Sequence, residues 1–281
     1  MINIMYAGND KTFDGIMLSL LSIIKYHKQP LDVYILTMDC SDKNPTWTSF
    51  TEEHKNNLQD ILQEVNQQSK ITIVDTGEIY SKTLNGGKNH LTMYTPYCML
   101  RLFADQVEGM PDKVLYLDYD TVACKDIQEL WDIDVSEYEY AGALDYYGRF
   151  FIARDYINSG VLLMNIKKIK ETGLFKKCVE LLKVKKYVLP DQTALHKKVE
   201  DKLIIDRKYN EQHRVYSNTI IRHFSATVKF FPVVKKQNIK LWHIDKVHNI
   251  LKEHFFDDIL EKWQQIKQNL EQNKVNNKEG N

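Results

Sequence analysis

The sequence predicts an α/β fold built on a parallel sheet, and three observations predict it. Strand-like and helix-like segments alternate from the amino terminus to about residue 75. The apolar run Lys113–Val122 contains two aspartates one residue apart, as a buried strand reaching the ligand-bearing edge of such a sheet does. A length of 281 residues, 43% hydrophobic and 27% charged, suits one large soluble domain or one domain with a small addition.

The elements follow in order. Asn3 to Ala7 reads as a strand, and Gly8-Asn9-Asp10-Lys11 as a turn. A helix carries Ile16, Leu20, Ile23 and Ile24 on one face. Leu31 to Thr37 is a second strand, Ser49-Phe50-Thr51-Glu52 resembles a capping box opening a helix through about Val65, and Lys70 to Asp75 is a third strand. Residues 76–92 are polar and glycine-containing, the composition of a loop at the sheet's carboxyl edge. The helix that follows sets Arg101 among Tyr97, Leu100, Leu102 and Phe103; it either snorkels or pairs with an anion, and pairing is favoured. Tyr140 to Asp145 and Val161 to Asn165 are further strands, Pro190-Asp191 starts a helix, and Ile220 to Phe224 is a late strand. The segment from Ile250 to Leu270 has an apolar stripe of Phe255, Ile259, Trp263, Ile266 and Leu270 that packing on the domain would bury. Beyond Gln272 the polar composition predicts disorder.

The chemistry concentrates at Asp118-Tyr119-Asp120. On an extended chain, positions i and i+2 face one side, so both carboxylates would converge from the end of the strand. Two hard oxygens there suit a divalent cation that shares its coordination with substrate phosphates. The spacing is weak by itself, because Asp132-Ile133-Asp134 repeats it with no comparable strand before it. Neither GxGxxG nor GxxxxGK[ST] is present, so no glycine loop cradles a phosphate, which strengthens the case for a metal.

Composition excludes several classes. No apolar run approaches the roughly 20 residues that span a bilayer, and Met1 to Tyr6 lacks the basic start of a signal peptide. Cys40, Cys98, Cys124 and Cys178 show no CxxC spacing, which argues for a reducing cytoplasm over a disulfide framework or zinc knuckle. The net charge of zero hides an asymmetry: residues 1–150 carry 12 Lys+Arg against 23 Asp+Glu, and residues 151–281 carry 26 against 15. The lysines between 167 and 186 read as a solvated helical face; no aromatic residues interleave to stack on bases, so no nucleic-acid partner is expected.

Taken together, the motifs resemble family 8 glycosyltransferases: the bacterial lipopolysaccharide galactosyl- and glucosyltransferases and, more distantly, glycogenin. The resemblance covers roughly residues 2–245. It is carried in order by Tyr6-Ala7-Gly8-Asn9-Asp10, Arg101, Val114 to Thr121, the string Asn158-Ser159-Gly160-Val161-Leu162-Leu163-Met164-Asn165, Asp191-Gln192, and His223 to Lys229. It implies a GT-A-like α/β domain over residues 1–248 with a central mixed, mostly parallel sheet. A helical carboxy-terminal extension at 249–271 and a disordered tail at 272–281 would follow. It implies a manganese or magnesium ion on Asp118, Asp120 and His223, bridging the diphosphate of a UDP-sugar; mixed N/O ligation suits manganese better than calcium. Ala7, Asn9, Asp10, Thr12, Arg101, Tyr119, Asn158, Ser159 and Lys229 would bind the donor, with Lys229 at the diphosphate. Asp145, Asn158, Asp191 and Gln192 would surround the hexose, with Asp145, Asp191 and Gln192 in the catalytic set, although Asp191 is also placed to cap its helix.

The implied activity is retaining transfer of glucose or galactose from UDP-glucose or UDP-galactose to a glycan or glycoconjugate acceptor, by double displacement or a front-face route. Two rivals remain: a glycogenin-like self-glycosylating enzyme and an inactive sugar-nucleotide binding module. Three positions depart from the family: Thr12 stands where tyrosine is common, Ser225-Ala226 replaces Cys-Gly, and residues 249–281 hold five lysines against six acids. A tail of that charge is a poor membrane anchor, so weak peripheral contact is the most the sequence supports.

Overall fold

Chain alternation and burial produce a sheet covered on both faces. The structure, a computed structural model, describes residues 1–89, 96–229 and 235–279; the side chains at 228–229, 235–236 and 276–279 lie outside the described residues. In the first half, β1 (Ile2–Ala7), α1 (Phe13–Tyr26), β2 (Leu31–Thr37), α2 (Glu52–Gln63), β3 (Lys70–Asp75) and α3 (Gly77–Thr83) lead to a 3₁₀ helix, Pro96–Gln106. Next come β4 (Lys113–Leu117), β5 (Thr121–Ala123), α4 (Gln128–Trp131), β6 (Tyr140–Leu144), α5 (Gly148–Phe151) and β7 (Ile157–Asn165). The second half continues with α6 (Ile166–Thr172), α7 (Leu174–Val184), α8 (Pro190–Lys198), β8 (Lys202–Ile205), β9 (Ile221–His223), β10 (Thr227–Lys229) and β11 (Lys235–Gln237). It ends with α9 (Ile244–Lys246), a π turn (Val247–Leu251) and α10 (Asp257–Glu279).

Seven strands form the main sheet in the order β3-β2-β1-β4-β7-β6-β8. β7 runs antiparallel to both neighbours, and the other pairings are parallel, so the sheet is mixed. Side-chain alternation splits each central strand between two apolar layers. Ile2, Ile4 and Tyr6 of β1 face the layer containing α1 and α2, whereas Met5 and Ala7 face the layer containing the 3₁₀ helix and α7. Both faces are dry, which is why these strands read as continuous apolar runs.

The reversed direction of β7 positions the site. Leu117 at the end of β4 pairs with Val161, and one step further the Asp118 amide donates to the Gly160 carbonyl at 2.7 Å. The start of β7, Asn158-Ser159-Gly160, therefore lies beside the exit of β4. A second, two-stranded sheet pairs β5 with β9 antiparallel, Thr121 opposite His223.

Several expectations are corrected. Thr51, not Ser49, caps α2, its hydroxyl accepting from the His54 amide at 3.3 Å. The segment 76–92 is not a plain loop: its first part forms α3, and residues 90–92 lie outside the described residues. β7 begins at Ile157, four residues ahead of the expected Val161, because Asn158 and Ser159 are polar yet buried. The lysine-rich segment is α6 and α7, with Lys167, Lys170, Lys176 and Lys177 exposed as a solvated face.

The terminal helix starts at Asp257, not near Ile250, and it continues past residue 272 to Glu279. Before it, His248 and His254 stack with ring centroids 4.4 Å apart, and each bonds one oxygen of Asp257. Phe255 is 45% exposed and drops out of the apolar stripe, while Ile259 and Trp263 are buried against the domain. Trp263 Nε1 and Lys267 Nζ both donate to the Asp14 carboxylate of α1, at 3.1 and 3.0 Å. Among the described residues no helix is long and apolar enough to cross a membrane. Trp263→Ala is expected to cost about 3 kcal/mol of stability, the low end for removing a buried tryptophan; an unchanged melting temperature would show that the helix does not pack on α1 in solution.

Candidate active site

Asp118, Tyr119 and Asp120 do not continue the strand. β4 ends at Leu117, and the three residues form a turn closed by the Thr121 amide and hydroxyl donating to the Asp118 carbonyl at 3.1 and 2.7 Å. Convergence of the carboxylates thus comes from a turn, not from strand alternation. The β5–β9 pairing supplies the third group: the Phe224 amide donates to the Asp120 carbonyl at 2.9 Å, and His223 Nε2 lies 3.2 Å from Asp120 Oδ1 and 3.7 Å from Asp118 Oδ2. Candidate ligand atoms of Asp118, Asp120 and His223 all fall within 4.8 Å of one another.

Neighbouring residues fix this trio. Asn210, fully buried, donates its amide to Asn158 Oδ1 at 3.0 Å, which leaves its own oxygen 3.1 Å from His223 Nδ1. Nδ1 then carries the proton, and the Nε2 lone pair faces the carboxylates. Gly160 leaves the space: a Cβ there would stand 2.1 Å from His223 Cε1 and 2.8 Å from Asp118 Oδ2. Lys240 Nζ bonds Asp120 Oδ2 and donates to the Phe224 carbonyl at 2.9 Å. Burial raises the Asp120 pKa, but the charge of Lys240 outweighs it and holds the carboxyl well below its ordinary value.

Arg101 joins this centre to the sugar-binding candidates. It is 2% exposed, with its guanidinium 3.9 Å from the centroid of the Tyr116 ring. Nη2 donates to Asp118 Oδ1 at 2.9 Å, Nη1 to the Ser159 carbonyl, and Nε to the Cys98 carbonyl at 2.9 Å, with Asp191 Oδ2 3.4 Å from Nε. Burial would lower its pKa; Tyr116, Asp118 and Asp191 outweigh burial and raise it. The pairing expected for Arg101 is therefore with the protein's own carboxylates. The Tyr116 hydroxyl donates to the same Asp118 oxygen at 2.7 Å.

A second network links Asp145, Asn158, Ser159, Asp191 and Gln192. Asp145 Oδ1 accepts from the Tyr147 and Gly148 amides at 3.1 and 2.6 Å, and its Oδ2 from Asn158 Nδ2 and Gln192 Nε2 at 2.9 and 3.2 Å. Gln192 Oε1 accepts from the Ser159 amide at 3.0 Å and from its hydroxyl at 3.3 Å. The Ser159 hydroxyl also lies 3.1 Å from Asp191 Oδ2. Asp191 is not a cap: Pro190 occupies the first turn of α8 behind an uncapped Leu189, and the carboxylate turns inward. Parallel–antiparallel topology explains the meeting, since β6, β7 and α8 all present these residues at one edge.

The residues expected at the nucleotide bond locally. Ala7 ends β1 and is buried. The Asn9 carbonyl accepts from the Thr12 amide and hydroxyl at 2.9 and 2.7 Å, so Thr12 shapes the turn against Gly8, where a Cβ would stand 2.4 Å from its hydroxyl. Asp10 Oδ1 accepts from the Thr51 hydroxyl at 3.0 Å and lies 2.7 Å from His54 Nδ1. Tyr119 stacks on Trp242 at 5.9 Å and packs on Gly15 of α1, bringing the aspartate turn to the helix that follows Thr12. Lys229 ends β10, and its side chain lies outside the described residues. Sequence reasoning missed Asn210, Lys240 and Trp242. The signal for Lys240 was a lysine set between Ile239 and Leu241 near a tryptophan; Asn210 left none.

The chain is 29% identical over 215 residues to the lipopolysaccharide 1,3-galactosyltransferase of Salmonella typhimurium, covering 69% of this chain and 61% of that protein. It is 29% identical over 190 residues to the glycosyltransferase GlyF of Streptococcus pneumoniae, covering 66% of this chain and 43% of GlyF. The chain spans about half the length, or less, of the first curated relatives it matches. It shares the GT-A fold of the galactosyltransferase LgtC: an active-site mutant of LgtC superposes with a TM-score of 0.70 at 17% identity, over 93% of this chain and 96% of that one. Residues 3–243 match the profile of glycosyl transferase family 8, and the chain belongs to that family.

Proposed function

We propose that the protein is a retaining hexosyltransferase that takes glucose or galactose from a UDP-sugar, with a manganese or magnesium ion at Asp118, Asp120 and His223. Similarity to lipopolysaccharide galactosyl- and glucosyltransferases supports a cell-surface glycan or glycoconjugate as acceptor. Four unbonded cysteines fit work in a reducing cytoplasm. The observation that carries the reading is the convergence of two carboxylates and an imidazole within 4.8 Å, next to the polar network around Asp145. The trio fits a hard cation: its donors are two oxygens and a nitrogen with a free lone pair, and Gly160 keeps the space beside them open. When bound, the ion would neutralise charge developing on the departing UDP.

The protein's own groups do the rest. Asn210 holds the imidazole tautomer, and Arg101, whose donors are taken up by Asp118, Asp191 and two backbone carbonyls, positions Asp118. Lys240 supplies a positive charge beside Asp120, a charge that the sequence reading expected at the diphosphate from Lys229. Asp145, Asn158 and Gln192 present donors and acceptors to the hexose hydroxyls. Gln192 Oε1 is already bonded to the Ser159 amide and hydroxyl, and Asp191 to Ser159 and Arg101, so neither is poised as a nucleophile. This favours front-face transfer: the bond from the anomeric carbon to the diphosphate breaks, the acceptor oxygen bonds the same face, and its proton passes to the departing phosphate.

Three measurements check this reading. In calorimetry, UDP affinity should rise greatly with manganese, and Asp120→Asn should abolish most of that rise; equal affinity with and without the ion would sink the metal assignment. Lys240→Ala should lower kcat/KM for the UDP-sugar by about 1.5–3 kcal/mol, the range for a hydrogen bond to a charged group. Wild-type kinetics in that variant, with a loss in Lys229→Ala instead, would return the role to Lys229. Asp191→Asn should keep UDP affinity and lose turnover more than about tenfold, because Arg101 loses one of its two counter-charges; full turnover would make Asp191 structural only.

A further inference from the structure

The turn that leads into α10 carries a second group of metal-ligating side chains, outside the candidate active site. His248, His254 and Asp257 are separated by five and two residues, and their ligand atoms lie within 4.8 Å of one another. His248 Nε2 stands 2.7 Å from Asp257 Oδ1, and His254 Nδ1 stands 3.2 Å from Asp257 Oδ2. The two imidazoles stack at 4.4 Å, so both present a nitrogen to the same carboxylate. No step of the transfer proposed above uses them.

Packing of their neighbours holds the three in place. Val247 and Phe256, next to His248 and Asp257, are fully buried, and Phe256 meets the Phe224 ring edge-on at 5.8 Å. Between them the Lys252 and Glu253 amides both donate to the Val247 carbonyl, and Lys252 takes a left-handed conformation with φ 57°. That reversal brings His254 back over His248. The Glu253 carboxylate accepts from the Val215 amide at 3.2 Å and lies 3.5 Å from Arg222 Nε, which ties the turn to the domain. Asp258 pairs with Lys25 at 2.6 Å, so Asp257 is the acid that meets the rings. A ligand set fixed by packing loses little conformational freedom when it binds.

We propose that His248, His254 and Asp257 bind a transition-metal ion of the zinc type, which fastens the π turn to the start of α10. Two imidazole nitrogens and one carboxylate are a donor set that suits zinc. The Asp118, Asp120 and His223 set has two carboxylates and is harder, so the two sites differ in the ion they favour. Each imidazole would turn a lone pair to the ion, and water would complete four-coordination. The side chains of His254 and Asp257 are 62% and 43% exposed, which leaves room for that water and a path for the ion. The competing account is a plain helix start, with two imidazole N–H groups donating to one carboxylate, and it requires no metal.

The test titrates the full chain, stripped of metal by a chelator, with cobalt(II). Cobalt absorbs strongly in the visible when four-coordinate and weakly in a six-coordinate, oxygen-rich site. Wild type should develop the strong bands, zinc should displace them, and zinc should raise the melting temperature. His254→Ala, a change at an exposed ring, and Asp257→Asn should each weaken cobalt binding by about tenfold or more and lose most of the zinc-dependent rise in melting temperature. Asp120→Asn should keep the bands. Manganese-dependent UDP-sugar hydrolysis should be the same in His254→Ala as in wild type, and it reports on the transferase reading separately. Wild type with neither strong cobalt bands nor a zinc-dependent melting shift overturns the proposal, as the plain helix start requires. So do bands that survive in both His254→Ala and Asp257→Asn, or bands that vanish in Asp120→Asn.

Discussion

The buried guanidinium of Arg101 is the interaction on which the rest of the site depends. It is shared among Asp118, Asp191 and two backbone carbonyls, with the Tyr116 ring against its face. A buried charge is tolerated only when every partner stays in place, and removing one partner of such a pair costs about 3–5 kcal/mol. The 3₁₀ helix, the end of β4, the start of β7 and the first turn of α8 are therefore locked together. Rotation of any one would strand a charge in a dry interior.

That lock has a geometric basis in the strand order. A wholly parallel sheet would place the start of β7 at the opposite edge from the end of β4. With β7 reversed, Gly160 lies beside Asp118, and its missing side chain admits His223 from the neighbouring two-stranded sheet. Three segments distant in sequence thus meet around one small space. The polar residues Asn158 and Ser159 survive at the head of a buried strand because their side chains and the Ser159 amide are hydrogen-bonded within the site.

The same economy explains what the outer residues do. Asp145 uses one oxygen to hold the base of α5 and the other to hold Asn158 and Gln192, so that polar network and α5 share one carboxylate. At the opposite end, Asp14 joins α1 to α10 through Trp263 and Lys267. The acidic first half and basic second half meet in such contacts, as Asp14 does with Lys267.

Much of this was legible in the sequence. The three leading strands, the apolar run into Asp118 and Asp120, the Asn158 string, Asp191-Gln192 and His223 are local patterns, and apolar periodicity together with motif order determined the α/β class and the family. Other features arose only when distant segments met. The aspartates converge through a turn, and a period-two argument has no means of foreseeing where a strand stops. Arg101 and Asp191 turned inward because their partners lie far away along the chain. Asn210 carries no local signature and Lys240 only its setting between Ile239 and Leu241; their roles exist only because the fold brings them to His223 and Asp120. The sequence by itself determined the fold class, the family and the motif residues from which the candidate site is built. Tertiary structure decided which of them face the site and which hold its members in place, because hydrogen bonds and buried charges are settled by proximity in space, not along the chain.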